Sequence, residues 1–426
     1  MNEVKIGWLF DVISSGSTPP TSQSIYYDNG TINWLNTGDL TDGLVTNIPK
    51  KITNEALLKF PTLKTYEPNS IVMAMYGATI AKLGIVMDYF TTNQACVVLS
   101  QPKESVYQKF IFYVLMSKRK DIINESRGGG QPNISQNIVK NIKLKLPKKH
   151  EQILIVSYID SKLLELDNLI SSEEKQIQLL EEQRQAMITE VVTKGLNSNV
   201  EMKDSGNEWI GEIPNDWEVK RLKNVCRVHT GGTPKSKEES FWNEELLWFT
   251  PEDIGKDRFD LIQSKRKISK QGSENSSAKI IDGPAVIMTT RAPVGNIGIS
   301  FEKFTTNQGC KSLTLIDYGN IRYIYYLLSI QKKWLNSIST GTTFLELSTR
   351  NLKNIVLPVP PSKEQDEICE FLYIKNNIID DIINKVRKQE LKLKEYRQSL
   401  IHEAVTGKIS IDEMEKYLKE VEDDGN

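Results

Sequence analysis

The chain is written twice. Gly16-Ser-Thr-Pro19 returns as Gly231-Gly-Thr-Pro234, and Phe90-Thr-Thr-Asn-Gln94 returns as Phe304-Thr-Thr-Asn-Gln308, followed by Cys96 and Cys310. Trp34 and Asp39 are matched by Trp248 and Asp253, Asn141-Ile142 by Asn354-Ile355, and Pro147 by Pro360. Glu151-Gln152 is matched by Glu364-Gln365, Arg184-Gln185 by Arg397-Gln398, and Val192-Thr193 by Val405-Thr406. The offset stays at 213–215 from one end of this series to the other. Chance does not hold register over such a length, so the chain carries two structural copies of one unit.

Each copy has a mixed part and a helical part. The mixed part alternates short β-rich runs, such as Ser70–Met75 and Ala285–Thr290, with Gly, Pro, Asn and Thr. It also holds one amphipathic helical patch, Tyr107–Lys120 in the first copy and Ile321–Trp334 in the second. The helical part opens after Pro147 or after Pro358, Pro360 and Pro361, and closes at Gly195 or Gly407.

Both helical parts follow a heptad. In the first, Val156, Ile159, Leu163, Leu166, Ile170, Glu173, Ile177, Leu180, Arg184, Met187 and Val191 alternate by three and four. In the second, the same register gives Cys369, Leu372, Asn376, Ile379, Ile383, Val386, Glu390, Leu393, Arg397, Leu400 and Ala404. A sustained 3.5-residue apolar stripe needs a partner helix. Each seam runs about 50 Å at 1.5 Å per residue, longer than one small domain covers. The simplest partner for each helix is the other one. The polar seam residues leave two readings. If the helices run antiparallel, Arg184 meets Asp380, Asp381 or Asn376 and sets the register. Otherwise Arg184 and Arg397 reach past the seam into solvent.

Composition bounds the function. The net charge is −1, which on its face disfavours a nucleic-acid binder. Regional counting changes that: residues 1–147 carry +4, 148–197 carry −3, 198–361 carry +3 and 362–426 carry −5. Charge is segregated into two mildly basic blocks and two acidic ones. Cys96, Cys226, Cys310 and Cys369 are far apart in sequence, which excludes a C-x-x-C motif or a zinc ribbon and suits a reduced, cytoplasmic protein. No apolar run is long enough to span a bilayer, and the N-terminus lacks the pattern of a secretory signal.

Catalytic motifs are missing. His150, His229 and His402 show no metal or triad spacing, and no metal site is expected. There is no P-loop, no G-x-G-x-x-G and no Asn/Asp-Pro-Pro-aromatic signature of an adenine methyltransferase. Pro214, Asp216, Glu218 and Lys220 mimic a nuclease pattern, but the carboxylates lie two residues apart on one strand rather than on neighbouring strands.

The order of mixed domain, heptad helix, mixed domain, heptad helix resembles the specificity subunits of type I restriction–modification systems. The second copy opens with Gly206-Asn-Glu-Trp-Ile-Gly-Glu-Ile-Pro-Asn-Asp-Trp-Glu-Val-Lys-Arg-Leu222 and then Gly231-Gly-Thr-Pro234. That opening is similar to the start of the family's target-recognition domains. Pro360-Pro-x-x-Glu-Gln365 and Pro147-x-x-x-Glu-Gln152 resemble the entry to its conserved helices. The resemblance covers essentially the whole chain. It implies an α+β fold: two mixed target-recognition domains with a pseudo-twofold internal repeat, joined by two long helices forming an antiparallel coiled coil. The expected divisions are 1–147, recognition domain one; 148–197, first conserved helix; 198–361, recognition domain two; 362–410, second conserved helix; and 411–426, an acidic tail.

The resemblance further implies that each domain reads one half of a bipartite, asymmetric double-stranded DNA target while the coiled coil acts as a ruler. Two methyltransferase subunits are the implied partners, with motor–nuclease subunits as an outer addition. S-adenosylmethionine, ATP and magnesium would belong to those partners and not to this chain, which is expected to be non-catalytic. Two readings stay open beside it: a self-contained DNA-binding restriction enzyme, and a coiled-coil scaffold that binds no DNA. One departure is visible. Copy two has a lead-in over roughly 200–218 that copy one lacks, and the acidic, helix-prone tail Asp412–Asp424 stands where the lead-in of a next copy would fall.

Sequence reading needs side chains that reach base edges and cations placed for phosphates. In copy one, Arg127, Gln131 and Asn133 flank Gly128-Gly-Gly130 and offer a guanidinium fork and two amides. The matching loop of copy two, Thr340-Gly-Thr-Thr-Phe344, offers Thr342 and Thr343 instead. Different residues at one place suit domains that read different sequences. Lys118, Arg119 and Lys120, with Lys265, Arg266 and Lys267, are phosphate candidates or plain solvated surface. Arg291 replaces Tyr76 of copy one and is a second base-reading candidate. The motifs common to both copies point the other way, toward scaffold or partner contact.

Overall fold

The computed structural model describes residues 3–125, 133–255, 259–291, 293–339 and 346–424, with the side chains of 243, 244 and 424 set aside. The chain divides into two compact units. Unit one is residues 1–174 with 387–426, and unit two is residues 175–386. Two continuous helices, Lys149–Lys194 and Ser362–Thr406, contribute one part to each unit.

Unit one is built on a five-stranded sheet in the order Phe10–Ser15, Cys96–Pro102, Ser70–Ala74, Leu83–Val86, Gly43–Val45. All pairs are antiparallel except the last. Ser70–Ala74 is buried at every residue, as a central strand covered on both faces must be. A small sheet joins Lys51–Ile52, Ile32–Leu35 and Thr91–Thr92, the last pair parallel. Glu3–Lys5 pairs with Lys143–Lys145 and so ties the start of the domain to its end.

Unit two repeats this plan. Its main sheet runs Cys226–Thr230, Cys310–Leu315, Ala285–Thr289, Ile297–Ser300, all antiparallel. Its small sheet joins Arg266–Ile268, Trp242–Phe249 and Phe304–Thr306, again with one parallel pair. Glu218–Arg221 pairs with Val356–Val359 as the closing ribbon. Where unit one has its fifth strand, unit two has a single parallel bridge, Asp260 to Ile299.

The helical patch of each copy is two helices rather than one. Gln108–Ser117 is followed at once by Arg119–Asn124, and Ile321–Ser329 by Lys332–Ser337. The first of these is not amphipathic: Phe110 through Met116 are all buried. It belongs to the core that also holds Ile71, Leu99, Ile155, Ile159 and Leu166, so apolar groups surround it.

In each unit the long helices run antiparallel. In unit one Asp167 faces Arg397, and further along Glu174 faces Lys394. In unit two Arg184 faces Asp380, and further along Gly195 lies against the Glu364 carboxylate. Burial follows the heptad. Leu163, Leu166, Ile379, Ile383 and Val386 are buried, and Ile170, Ile177, Leu180 and Leu393 are half-buried among exposed neighbours.

The two copies complete themselves differently. In unit two the lead-in forms a hairpin, Met202–Asp204 with Glu212–Pro214. Ile210, Ile213 and the fully buried Trp217 pack there with Ile188, Val191 and Val192. In unit one the tail forms a helix, Ile411–Asp424, and buries Met414 in the core with Ile155 and Leu400. Tyr417 of that helix meets Tyr158 edge-on, and its hydroxyl donates to Glu165. Among the described residues no helix is long and apolar enough to cross a membrane.

Candidate nucleic-acid interface

The residues shared by the two copies hold the frame. Gly16 and Gly231 sit where a Cβ would meet the Thr92 carbonyl oxygen at 1.6 Å or the Thr306 carbonyl oxygen at 2.3 Å, so only glycine fits. Next to them, Thr18 donates to the Gln94 side chain and Thr233 to the Gln308 side chain, at 2.6 Å in unit two. Trp34 Nε1 donates to the Ser17 carbonyl at 3.2 Å, and Trp248 Nε1 to the Gly232 carbonyl at 3.0 Å. Asp39 accepts from the Asn36 N–H, and Asp253 from the N–H groups of Thr250 and Lys265. The threonine and tryptophan bonds fasten the segment after each entry strand to the small sheet, and the aspartates brace the turn that follows the small sheet's middle strand.

The repeated Glu-Gln pair does a second job. Gln152 is buried at the start of its long helix. It accepts from the Tyr107 N–H at 2.8 Å and donates to the carbonyls of Ser105 and Pro147. Gln365 does the same in unit two, accepting from the Asn320 N–H at 2.9 Å and donating to the Pro360 carbonyl. One amide thus pins each long helix to the start of the domain's own buried helix. The sequence repeat places this pair at the entry to each long helix but carries no sign of its bonding role. Glu364 in turn accepts from Trp217 Nε1 at 2.9 Å, and its burial pushes its carboxyl above the usual range.

Charge is handled alike at the helix seam. Arg397 donates to Asp167 at 2.8 Å in unit one, and Arg184 donates to Asp380 in unit two. Asp167 and Asp380 are themselves equivalent positions, so the sequence repeat supplies each clasp in duplicate. Arg184 is therefore held at the edge of the seam and does not snorkel past it.

The candidate DNA-facing residues fall into three groups. Arg127, Gln131, Thr342 and Thr343 lie outside the described residues. Lys118 is half-buried at the junction of two helices, and Lys120, Lys267 and Asn133 are exposed. The others have internal partners. Arg119 makes a two-pronged ion pair with Asp42, one prong at 3.0 Å, and its Nε donates to the Ala81 carbonyl at 3.1 Å. Lys265 pairs with Glu252 at 3.0 Å, and Arg266 stacks its guanidinium 3.6 Å from the Trp242 ring centre. Arg291 pairs with Glu346 at 3.0 Å. The partners Asp42, Trp242 and Glu346 are distant in sequence, and nothing in the local pattern signals them.

The four cysteines are free and buried. Burial pushes the thiols of Cys96, Cys226 and Cys369 up to about 12, and that of Cys310 up as well, which leaves them as small apolar fillers.

Two mixed domains on one repeated frame, each closed by a long heptad helix, define the class. The model of the type I restriction modification DNA specificity domain matches residues 1–182 and again 214–393, and the chain belongs to that family. It is a specificity subunit and not a catalytic one. Among curated relatives, the type I restriction enzyme MjaIX specificity subunit of Methanocaldococcus jannaschii is 33% identical, over 42% of this chain and 41% of its own length. The MjaVIII specificity subunit of the same organism is 27% identical over 89% of this chain and 86% of its own length. A chain from a solved structure described for complex assembly and conformational transition of a type I R-M system superposes with a TM-score of 0.71. It is 18% identical and covers 96% of this chain and 98% of that one, a likeness of fold.

Proposed function

We propose that this chain selects the DNA sequence on which a type I restriction–modification complex acts. Residues 1–147 read one half of a bipartite, asymmetric target and residues 198–361 read the other. The helices over 148–197 and 362–410 fix the distance between the halves and dock two methyltransferase subunits, to which motor–nuclease subunits add. S-adenosylmethionine, ATP and magnesium serve those partners, and the complex works in the cytoplasm.

One observation carries this reading. The same frame is built twice, with matching bonds at Thr18 and Thr233 and at Trp34 and Trp248, and with Gln152 and Gln365 sharing two of their bonds, while the candidate contact residues differ between copies. A scaffold that reads nothing has no use for two matched domains whose variable positions diverge. Exposed apolar residues on the helix backs, Leu164 in unit one and Ile374 and Ile378 in unit two, suit partner docking.

The test is a methylation map of a host that expresses the chain with a methyltransferase subunit. The expected motif is bipartite. Replacing residues 198–361 by the same segment of another specificity subunit changes one half and leaves the other. A change in both halves, or a continuous motif, would refute the assignment. DNA cleavage by the purified chain alone would favour the self-contained enzyme.

A further inference from the structure

The frame places one equivalent backbone bridge in both units and gives it opposite chemistry. In unit one Tyr76 bridges Asn133, and in unit two Arg291 bridges Glu346. The flanking hydrogen bonds match: the Ile134 N–H donates to the Met75 carbonyl at 2.7 Å, and the Leu347 N–H to the Thr290 carbonyl at 3.0 Å. The residue after the shared cysteine is Val97 in one copy and Lys311 in the other, and both are buried. Unit one thus has a neutral phenol, amide and isopropyl group where unit two has two cations and one carboxylate.

Nothing in the fold of unit two requires those charges, because unit one builds the same bridge without them. Burying a lysine beside an arginine costs stability. Desolvation lowers the Lys311 pKa; the nearby Glu346 carboxylate opposes this and Arg291 adds to it. Among the described residues the compensation is incomplete: one carboxylate faces two cations. The Arg291 guanidinium is also under-used. Its Nη2 donates to Glu346 at 3.0 Å, while its Nε is buried with no hydrogen-bond partner among the described residues. Arg291 and Glu346 keep 44% and 42% of their side-chain surface exposed, so the pair is open to a ligand. The buried Nε is out of a ligand's reach, but a part-exposed guanidinium held by one Nη2 bond and backed by a second cation still offers its outer N–H edge to a paired acceptor. The guanine O6/N7 edge in the major groove is such an acceptor, and arginine is the side chain that matches it bidentately.

We propose that Arg291, aimed by Glu346 and backed by the Lys311 ammonium, is a specificity-determining residue that reads a guanine in the half-site of residues 198–361. Tyr76 and Asn133 occupy the corresponding reading position in the first domain. Glu346 is a positioning residue. The proposal rests on the DNA-selecting function proposed above.

The experiment uses the chain co-purified with its methyltransferase subunit. Binding is measured against duplexes in which each base pair of the mapped motif is changed in turn. In the native complex, one guanine of the half-site assigned to 198–361 discriminates by about 5- to 150-fold, the range of one bidentate contact. Arg291→Gln flattens that preference, and Glu346→Gln weakens it, while every preference in the other half-site is retained. Lys311→Met, a swap of similar volume, lowers affinity for the guanine duplex more than for its variants. Two results would overturn the proposal: both variants keep the full base profile of that half-site, or they lose preference equally in the two half-sites. Should Arg291→Gln fail to fold, the half-exposed Glu346→Gln decides alone. If the native complex shows no base preference anywhere, the DNA-selecting function itself falls, an outcome distinct from loss of this contact.

Discussion

Gln152 and Gln365 show what a repeated residue can mean. Each is a neutral amide in a dry place, and each satisfies a backbone N–H and at least one carbonyl across the join between long helix and mixed domain. Removing a buried partner leaves those groups unpaired, at a cost of about 1–3 kcal/mol. Gln152→Leu and Gln365→Leu, which roughly keep the volume, are each expected to lower the free energy of unfolding by about that amount. Urea titration of the purified variants measures it. Midpoints equal to the parent's would show that the amides add nothing beyond packing. The same logic separates Arg119 from Lys120. Arg119 is committed to Asp42 and the Ala81 carbonyl, whereas Lys120 is exposed.

At the scale of elements, the long helices carry their own register marks. Apolar seam residues alone permit sliding by a heptad, because each register buries similar groups. The Arg184–Asp380 and Arg397–Asp167 clasps favour one register. Both pairs are partly exposed, so each is worth no more than about 1 kcal/mol. A charge swap tests this. Arg184→Asp alone places two carboxylates together and weakens the pair, and adding Asp380→Arg restores it. Thermal melts of the two single variants and the double one give the coupling energy, and a coupling of zero would remove the clasp from the account. The tail helix is held by a related device: the Tyr417 hydroxyl donates to Glu165 and so holds that carboxyl below its usual range. A lowered carboxyl contributes stability above its unfolded value and loses it as pH falls through the folded one. Docking of the tail therefore weakens on acidification.

For the whole molecule, a net charge of −1 conceals the distribution that matters. The acidic blocks lie over the long helices and the tail, and the basic blocks over the two mixed domains. If the mixed domains meet the phosphate backbone, binding falls with salt in spite of the near-neutral total. The expected slope of log K against log salt is about −0.9 for each phosphate neutralised. Fluorescence anisotropy with a short duplex across a salt series measures it, and a flat response would detach the basic blocks from DNA.

Taken alone, the sequence determined the duplication, the two heptad helices and the glycine, threonine and tryptophan positions of the frame. It could do so because these depend on period and on equivalence between copies, both of which survive in one dimension. The helical patches differ: a period that suggests one amphipathic stretch folds as two helices, the first of them buried from Phe110 through Met116 in unit one. Periodicity cannot see a second covering layer. The partners of charged groups also stayed hidden. Asp42 for Arg119, Trp242 for Arg266 and Glu346 for Arg291 come together only when strands far apart in the chain are laid side by side. Only the tertiary structure decided which cations meet a partner inside the fold and which stand exposed, because pairing depends on distances that sequence order does not contain.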